Sequence, residues 1–280
     1  MTADADADTD TEPAGPSLLY ERRGPTVVLT MNRPARRNAL SLDMLVRLAD
    51  AWEQVDADDT VRSVILTGAE GAYCVGGDLD AGWMTGNRSA APSDTERRAM
   101  EDMSIIGRGL LLTTWLRTPI IAVVNGDCLG GGCEMLQQTD IRVAEEHARF
   151  GVPEATRGLI AGAGSTMRLK RQIPYAVAME MLLTGRILDA EEALRWGLVT
   201  HVVPRGEGLA KGHEIAGVIA AAGPLSVAAS KASAVETGWL PEADARPIES
   251  RYAARVTRSN DAAEGMKAFV EKRPPDFTGT

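Results

Sequence analysis

Short β-branched runs alternate with stretches of helical spacing through most of the chain. Thr26-Val27-Val28-Leu29-Thr30-Met31 is bounded by Pro25 and by Asn32-Arg33-Pro34. Residues 61–67 stop at Gly68, and residues 120–124, 141–143 and 199–203 are similarly apolar. Each reads as a strand. Leu42, Leu45, Leu48, Ala49 and Trp52 stand at helical spacing behind Ser41, which predicts a helix with a serine cap. Residues 95–115 predict a longer helix with Met100, Met103, Ile106, Leu110 and Leu111 turned inward. The alternation predicts an α/β core over residues 17–205. Beyond Pro204 the spacing is almost wholly helical, broken at Gly223-Pro224, Gly238 to Pro241 and Ser259-Asn260. Residues 206–280 are therefore expected to form a helical appendage. Residues 1–16 are acidic and lack an apolar stretch, so they read as a disordered lead-in rather than a signal peptide.

Composition narrows the function classes. Aromatics make up 4% of the 280 residues, so the core must be built from Leu, Val, Ile, Ala and Met. A formal charge of −9 argues against broad binding to nucleic acid or to anionic membranes, which need a basic footprint. No apolar stretch reaches the roughly 18–20 residues that cross a bilayer. Cys74, Cys128 and Cys133 are odd in number and form no CxxC pair, which points to reduced, buried thiols in a cytoplasmic protein. His147, His201 and His213 share no metal-ligand spacing with them, so no metal site is expected.

The chemistry concentrates after residues 119–126. Gly130-Gly131-Gly132-Cys133-Glu134 follows that apolar run, and a second carboxylate, Glu154, lies twenty positions further on. A strand that ends in side-chain-free backbone and then opens a helix leaves bare N–H groups able to hold a developing negative oxygen. A carboxylate just inside that helix can move protons beside it. Taken alone, a glycine cluster also suits a tight turn, Glu134 a solvated helix position, and Glu154 a charge at a helix N-terminus.

Three stretches in order carry a resemblance. They are Asn32-Arg33-Pro34 with Arg37-Asn38-Ala39-Leu40; Gly71 to Leu79, containing Val75-Gly76-Gly77-Asp78-Leu79; and Asn125-Gly126 through Glu134 to Phe150-Gly151-Val152-Pro153-Glu154 and Gly162-Ala163-Gly164. The chain resembles the crotonase superfamily, and within it the enoyl-CoA hydratases, from about Leu18 to the C-terminus. The resemblance implies a spiral of ββα turns followed by a helical region used for trimer formation. It also implies trimers or dimers of trimers, an acyl-CoA thioester substrate, and no metal or redox cofactor.

By matching motifs, the resemblance assigns the oxyanion donors to the N–H groups of Gly77 and Gly131. It makes Glu134 the base that activates water and Glu154 the group that delivers and retrieves the Cα proton. Recognition of CoA falls to Arg37, Ala39, Val75, Asp78 and Leu79. Phe269 and Lys272 match residues that reach a neighbouring subunit's nucleotide in some relatives. Arg36 and Arg37 are also candidates for phosphate, because a guanidinium grips it with a paired fork. Departures from the family pattern are Gly77 for a common alanine, Asp80 for a lysine, and Ser165 for the second glycine of Gly-Ala-Gly-Gly. Ser165 either adds a hydroxyl near the site or caps the helix that follows it. Trp83 and Met84 fall where relatives shape the acyl pocket. Hydration of a 2-enoyl-CoA is the leading expectation. Double-bond isomerisation, thioester or ring hydrolysis, and non-catalytic acyl-CoA binding are the alternatives.

Overall fold

The structure is a computed structural model, and it describes residues 15–80 and 91–280. The acidic lead-in up to residue 14, Trp83 and Met84 lie outside the described residues.

The chain opens with an antiparallel pair, β1 (Leu18–Arg23) and β2 (Thr26–Met31), joined through Gly24. Helix α1 (Leu42–Ala57) follows, and the Ser41 side chain accepts from the Met44 N–H as its cap. The ββα unit then repeats. β3 (Ser63–Gly68) and β4 (Ala72–Cys74) lead to α2 (Asp94–Glu101) and α3 (Ser104–Gly109). β5 (Ile120–Val124) and β6 (Asp127–Leu129) lead to α4 (Gly131–Leu136). β7 (Ile141–Glu145) and β8 (Arg149–Gly151) lead, through a 3-10 turn over Pro153–Arg157, to α5 (Ser165–Gln172) and α6 (Tyr175–Thr184). β9 (Ile187–Asp189), α7 (Ala190–Arg195) and β10 (His201–Val203) close the core. The long strands form one sheet in the order β1-β2-β3-β5-β7-β10, and the short ones a second in the order β4-β6-β8-β9. Stacked strand–strand–helix turns are the spiral that the resemblance implies.

β3 and β5 are buried along their whole length, as central parallel strands must be. Each unit turns sharply between its two strands, and small residues permit it. A β-carbon on Gly126 would stand 2.1 Å from the Gly71 carbonyl oxygen, and one on Gly68 would stand 2.0 Å from that of Ala72.

Two expectations change. Residues 95–115 are not one helix. The Asp102 side chain accepts from the Ser104 N–H at 3.0 Å and breaks the run into α2 and α3. Met100 and Met103 then face outward, 51% and 63% exposed, while Leu110 and Leu111 are buried. The second segment presses on α1, where a β-carbon on Gly109 would come within 2.4 Å of the Leu45 carbonyl. The helical region also begins differently. α8 (Gly208–Ala221) lies on the open face of the six-stranded sheet, with Ala216, Ile215 and Ile219 against Val28, Ile65, Ile121 and Val123. It belongs with the core, and its Ala-rich sequence fits close approach to a sheet. α9 (Pro224–Thr237), α10 (Glu242–Thr257) and α11 (Asn260–Glu271) follow it. Lys231 ties α9 back to the core through the Thr118 carbonyl and Asp140. No single described helix is long and apolar enough to cross a membrane.

Candidate active site

Register in the small sheet assembles the site. β4, β6 and β8 run parallel, with Cys74 opposite Cys128 and Leu129 opposite Gly151. The chain leaving each strand therefore emerges at the same edge. One exit carries Val75 to Gly77, the next Gly130 to Glu134, and the third Val152 to Glu154. The Gly130 N–H donates to the Gly151 carbonyl at 2.9 Å and locks two of the exits together. Twenty residues of sequence separation collapse to neighbouring strand ends. All three exits line one cavity of about 550 Å³, whose wall also includes Leu45, Leu110 and Ala163.

Two amides face this space. Gly77 makes a parallel bridge with Leu40, in which the Leu40 N–H donates to Gly76 and the Asp78 N–H donates to Leu40. Successive amides on extended chain point to opposite sides, so the N–H of Gly77 is turned away from Leu40. Gly131 is the first residue of α4, where an N–H has no intrahelical acceptor. Neither amide donates to a protein group among the described residues. A β-carbon on Gly131 would lie 3.8 Å from Gly77 N, which sets the two backbones side by side. Gly76 is more tightly constrained. It holds φ +95°, and a β-carbon there would stand 3.1 Å from Gly131 N, with only backbone atoms around it. Gly76→Ala should therefore obstruct one donor and lower kcat/KM by roughly a hundredfold, the size of losing an oxyanion contact. Steady-state kinetics on the folded variant would check this.

Two carboxyls share the cavity. Glu134 is 3% exposed, and its Oε1 accepts from the Ser165 N–H, at the start of α5, at 3.1 Å. Burial raises its carboxyl to about 7, against the Ser165 amide that favours the charge, while the nearby charge of Glu154 adds to the rise. Glu154 sits in the 3-10 turn, half-buried, and burial raises it as well. Its Oε1 lies 3.2 Å from where a β-carbon on Gly130 would be, and its buried Oε2 has no hydrogen-bond partner among the described residues. An unpaired buried carboxyl oxygen beside two free amides is costly unless something occupies the space. Two acids pushed upward by burial suit proton transfer near neutral pH.

The remaining sequence candidates divide. Arg37, Val75 and Leu79 line the cavity, and Arg37 also pairs with Asp127, which Arg149 holds from the other side. Ala39 does not line it. It is buried, and its carbonyl accepts from Arg33 Nη1 at 2.7 Å. Asp78 corrects the sequence reading more sharply, because its carboxylate turns away from the cavity. It meets Arg33 at 2.8 Å and Arg36 at 3.2 Å. Burial works against its charge, but the two guanidiniums hold the carboxyl below its ordinary value. Arg36 is thus spent on Asp78 and Asp80. The Arg-Asn-Ala-Leu stretch is largely scaffolding. Asn38 is fully buried and donates to the carbonyls of Ala69 and Ala72 at 2.8 and 2.7 Å, pinning the turn before β4. Phe269 and Lys272, at the end of α11, lie outside the cavity wall, and Phe269 is 85% exposed. Sequence reading missed Arg157, which lines the cavity, and the contact of Ser165 with Glu134.

Comparison with known proteins agrees with this geometry. Residues 21–280 match the family described as Enoyl-CoA hydratase/isomerase. Enoyl-CoA hydratase EchA19 of Mycobacterium tuberculosis is 47% identical over 264 residues, 94% of this chain and 97% of that protein. The (E)-benzylidenesuccinyl-CoA hydratase of Thauera aromatica is 37% identical over 252 residues, 90% of this chain and 94% of that one. The crystal structure of an enoyl-CoA hydratase from Mycobacterium tuberculosis superposes with a TM-score of 0.85 at 36% identity, covering 95% of this chain and all of that one. The chain belongs to the enoyl-CoA hydratase/isomerase family and carries the crotonase fold.

Proposed function

We propose that the protein adds water reversibly across the 2,3 double bond of an enoyl-CoA thioester. The observation that carries this is the meeting of two backbone amides, unpaired among the described residues, with the buried carboxyl of Glu134 and the half-buried one of Glu154 at one edge of the small sheet. Water attacking Cβ drives negative charge onto the thioester oxygen, and the amides of Gly77 and Gly131 stabilise that enolate. Glu134 takes the proton lost by water, and protonated Glu154 supplies one to Cα. A 3-hydroxyacyl-CoA results, with Glu134 protonated and Glu154 ionised. That state is the starting point for dehydration, so one proton shared by the pair serves both directions. Burial raises both carboxyls, which supports such sharing.

Arg37, Val75 and Leu79 are assigned to the CoA arm, and Leu45, Leu110 and Ala163 to an apolar acyl group. Every charge that develops is met by a group of this chain, so neither metal nor redox cofactor is required. Met266, Phe269 and Val270 form an exposed apolar stripe on α11, which supports association of copies into a trimer or a dimer of trimers. Sedimentation equilibrium should give three or six chain masses; a monomer would remove that part.

A panel of 2-enoyl-CoA thioesters of increasing length, followed by loss of the conjugated absorbance, tests the reaction. Hydration of at least one is expected. Conversion of a 3-enoyl-CoA alone, or release of free CoA without hydration, would replace this reading with isomerisation or hydrolysis.

A further inference from the structure

We propose that residues 109–112 form a clamped stop that limits how long an acyl chain the cavity accepts. Leu110 meets the chain end, and Gln138 and Arg168 are the positioning residues that hold it there. The inference deepens the reading above, since it rests on an acyl-CoA entering this cavity.

Burial gives the cavity a direction. Arg37, Leu79 and Ile160 line it and are exposed, so they mark its mouth. Leu45 and Leu110 line it at 0% and 8% exposure, so they mark its inner end. An acyl group whose thioester is held by Gly77 and Gly131, with the CoA arm toward the mouth, extends toward Leu110. That end has little room to give. A β-carbon on Gly109 would stand 2.4 Å from the Leu45 carbonyl oxygen, so α3 meets α1 backbone to backbone. Neither side can yield there as a flexible side chain would.

The chain around Leu110 is held against its own preference. Leu111 is 1% exposed and has φ +54°, a left-handed conformation that leucine rarely adopts. Such strain persists only where the surroundings over-determine it. Here three elements do so. Trp52 Nε1 on α1 donates to the Gly109 carbonyl at 3.1 Å. Gln138 Nε2, just beyond α4, donates to the Leu111 carbonyl. Arg168 Nη2 on α5 donates to the Leu112 carbonyl at 3.2 Å. The Leu112 N–H closes the turn on the Gly107 carbonyl at 2.7 Å. Arg168 also donates to the carbonyl of Ala163 at 3.4 Å, and Ala163 lines the cavity too, so one guanidinium ties two walls together. Trp52, Gln138 and Arg168 do not themselves line the cavity. They fix the backbone that presents Leu110 to it. A wall held in this way selects by length, whereas a loose one adapts to whichever chain arrives.

The test is calorimetric titration with a ladder of saturated acyl-CoA thioesters, from butyryl to dodecanoyl, which cannot be hydrated. Affinity should rise about fourfold for each methylene that enters, the value of burying one, and then stop rising at one length. Leu110→Ala should move that plateau to chains about two carbons longer, and Leu110→Phe to shorter ones. Gln138→Leu and Arg168→Met leave the cavity lining unchanged, and each should also shift the plateau to longer chains with a more gradual end. Arg168→Lys, which keeps a donor, should restore the native plateau. A ladder without a plateau, or a plateau unmoved in both Leu110 variants, overturns the stop. A plateau unmoved in Gln138→Leu and Arg168→Met overturns their positioning role, and so does an equal loss of affinity at every length. Saturated thioesters need no turnover, so a protein that binds the ladder as expected yet hydrates nothing would refute the reaction and leave this result standing.

Discussion

Replacing either Glu134 or Glu154 by glutamine should cut hydration turnover at least about a hundredfold, the lower end of general acid–base contributions, with little change in acyl-CoA affinity. Glutamine keeps the volume and an acceptor oxygen but carries no transferable proton. Glu134→Gln should also change stability. Burial raises Glu134 from 4.5 to about 7, so its folded form prefers the proton more than the unfolded chain does. That preference is fully present below about pH 4.5 and is lost as pH rises through 7, where the buried site must carry charge. Glu134→Gln never carries that charge. It should match the native protein in stability near pH 4.5 and exceed it at pH 8, by up to about 3 kcal/mol. Thermal melts at the two pH values, beside steady-state assays, check both halves. A variant that lost activity and also lost stability at pH 8 would mean that Glu134 is a structural acid.

Asp78→Ala should be the most damaging single change outside the acid pair. Arg33 is 11% exposed and Asp78 3% at their contact, and Arg36 completes the cluster. Removing the carboxylate leaves two guanidiniums facing each other with one of them buried, which typically costs about 3–5 kcal/mol. In a chain of this size that is a fall in Tm on the order of 10 °C. The position also matters for chemistry, because the Asp78 N–H donates to Leu40 and fixes the bridge that turns Gly77 outward. Alanine keeps that N–H but loses the two arginine contacts that hold the loop, so the surviving folded fraction should turn over more slowly. A melt within 2 °C or so of the native value would show that the cluster is solvated and weak.

The long elements were legible in the sequence, and the small ones that gather the site were not. β2 and β5 have the bounds that their β-branched runs announce, and Ser41 caps α1 as read. β4, β6 and β8 are three residues each, too short for any period to show, yet their parallel register brings Gly77, Gly131, Glu134 and Glu154 to one edge. Only the motif order pointed to that meeting. The pairing of Asp78 was not legible, because its partners sit more than forty positions earlier and an acid beside a glycine loop gives no sign of facing away from it. Ser165 was open between two roles for a similar reason. It does not cap α5, because Gly164 holds the cap position and Ser165 is the first helical residue, while its hydroxyl accepts from Gln137 at the end of another helix. Met100 and Met103 show the opposite error, since apolar spacing over residues 95–115 continues across a break that Asp102 makes locally.

The most direct measurement is a crystal structure of the protein with a saturated acyl-CoA bound. The thioester oxygen should lie within about 3.2 Å of both Gly77 N and Gly131 N, with the carboxyls of Glu134 and Glu154 on the same flank of Cα and Cβ. A thioester oxygen bonded to neither amide, or an acyl chain threaded away from the two acids, would contradict it.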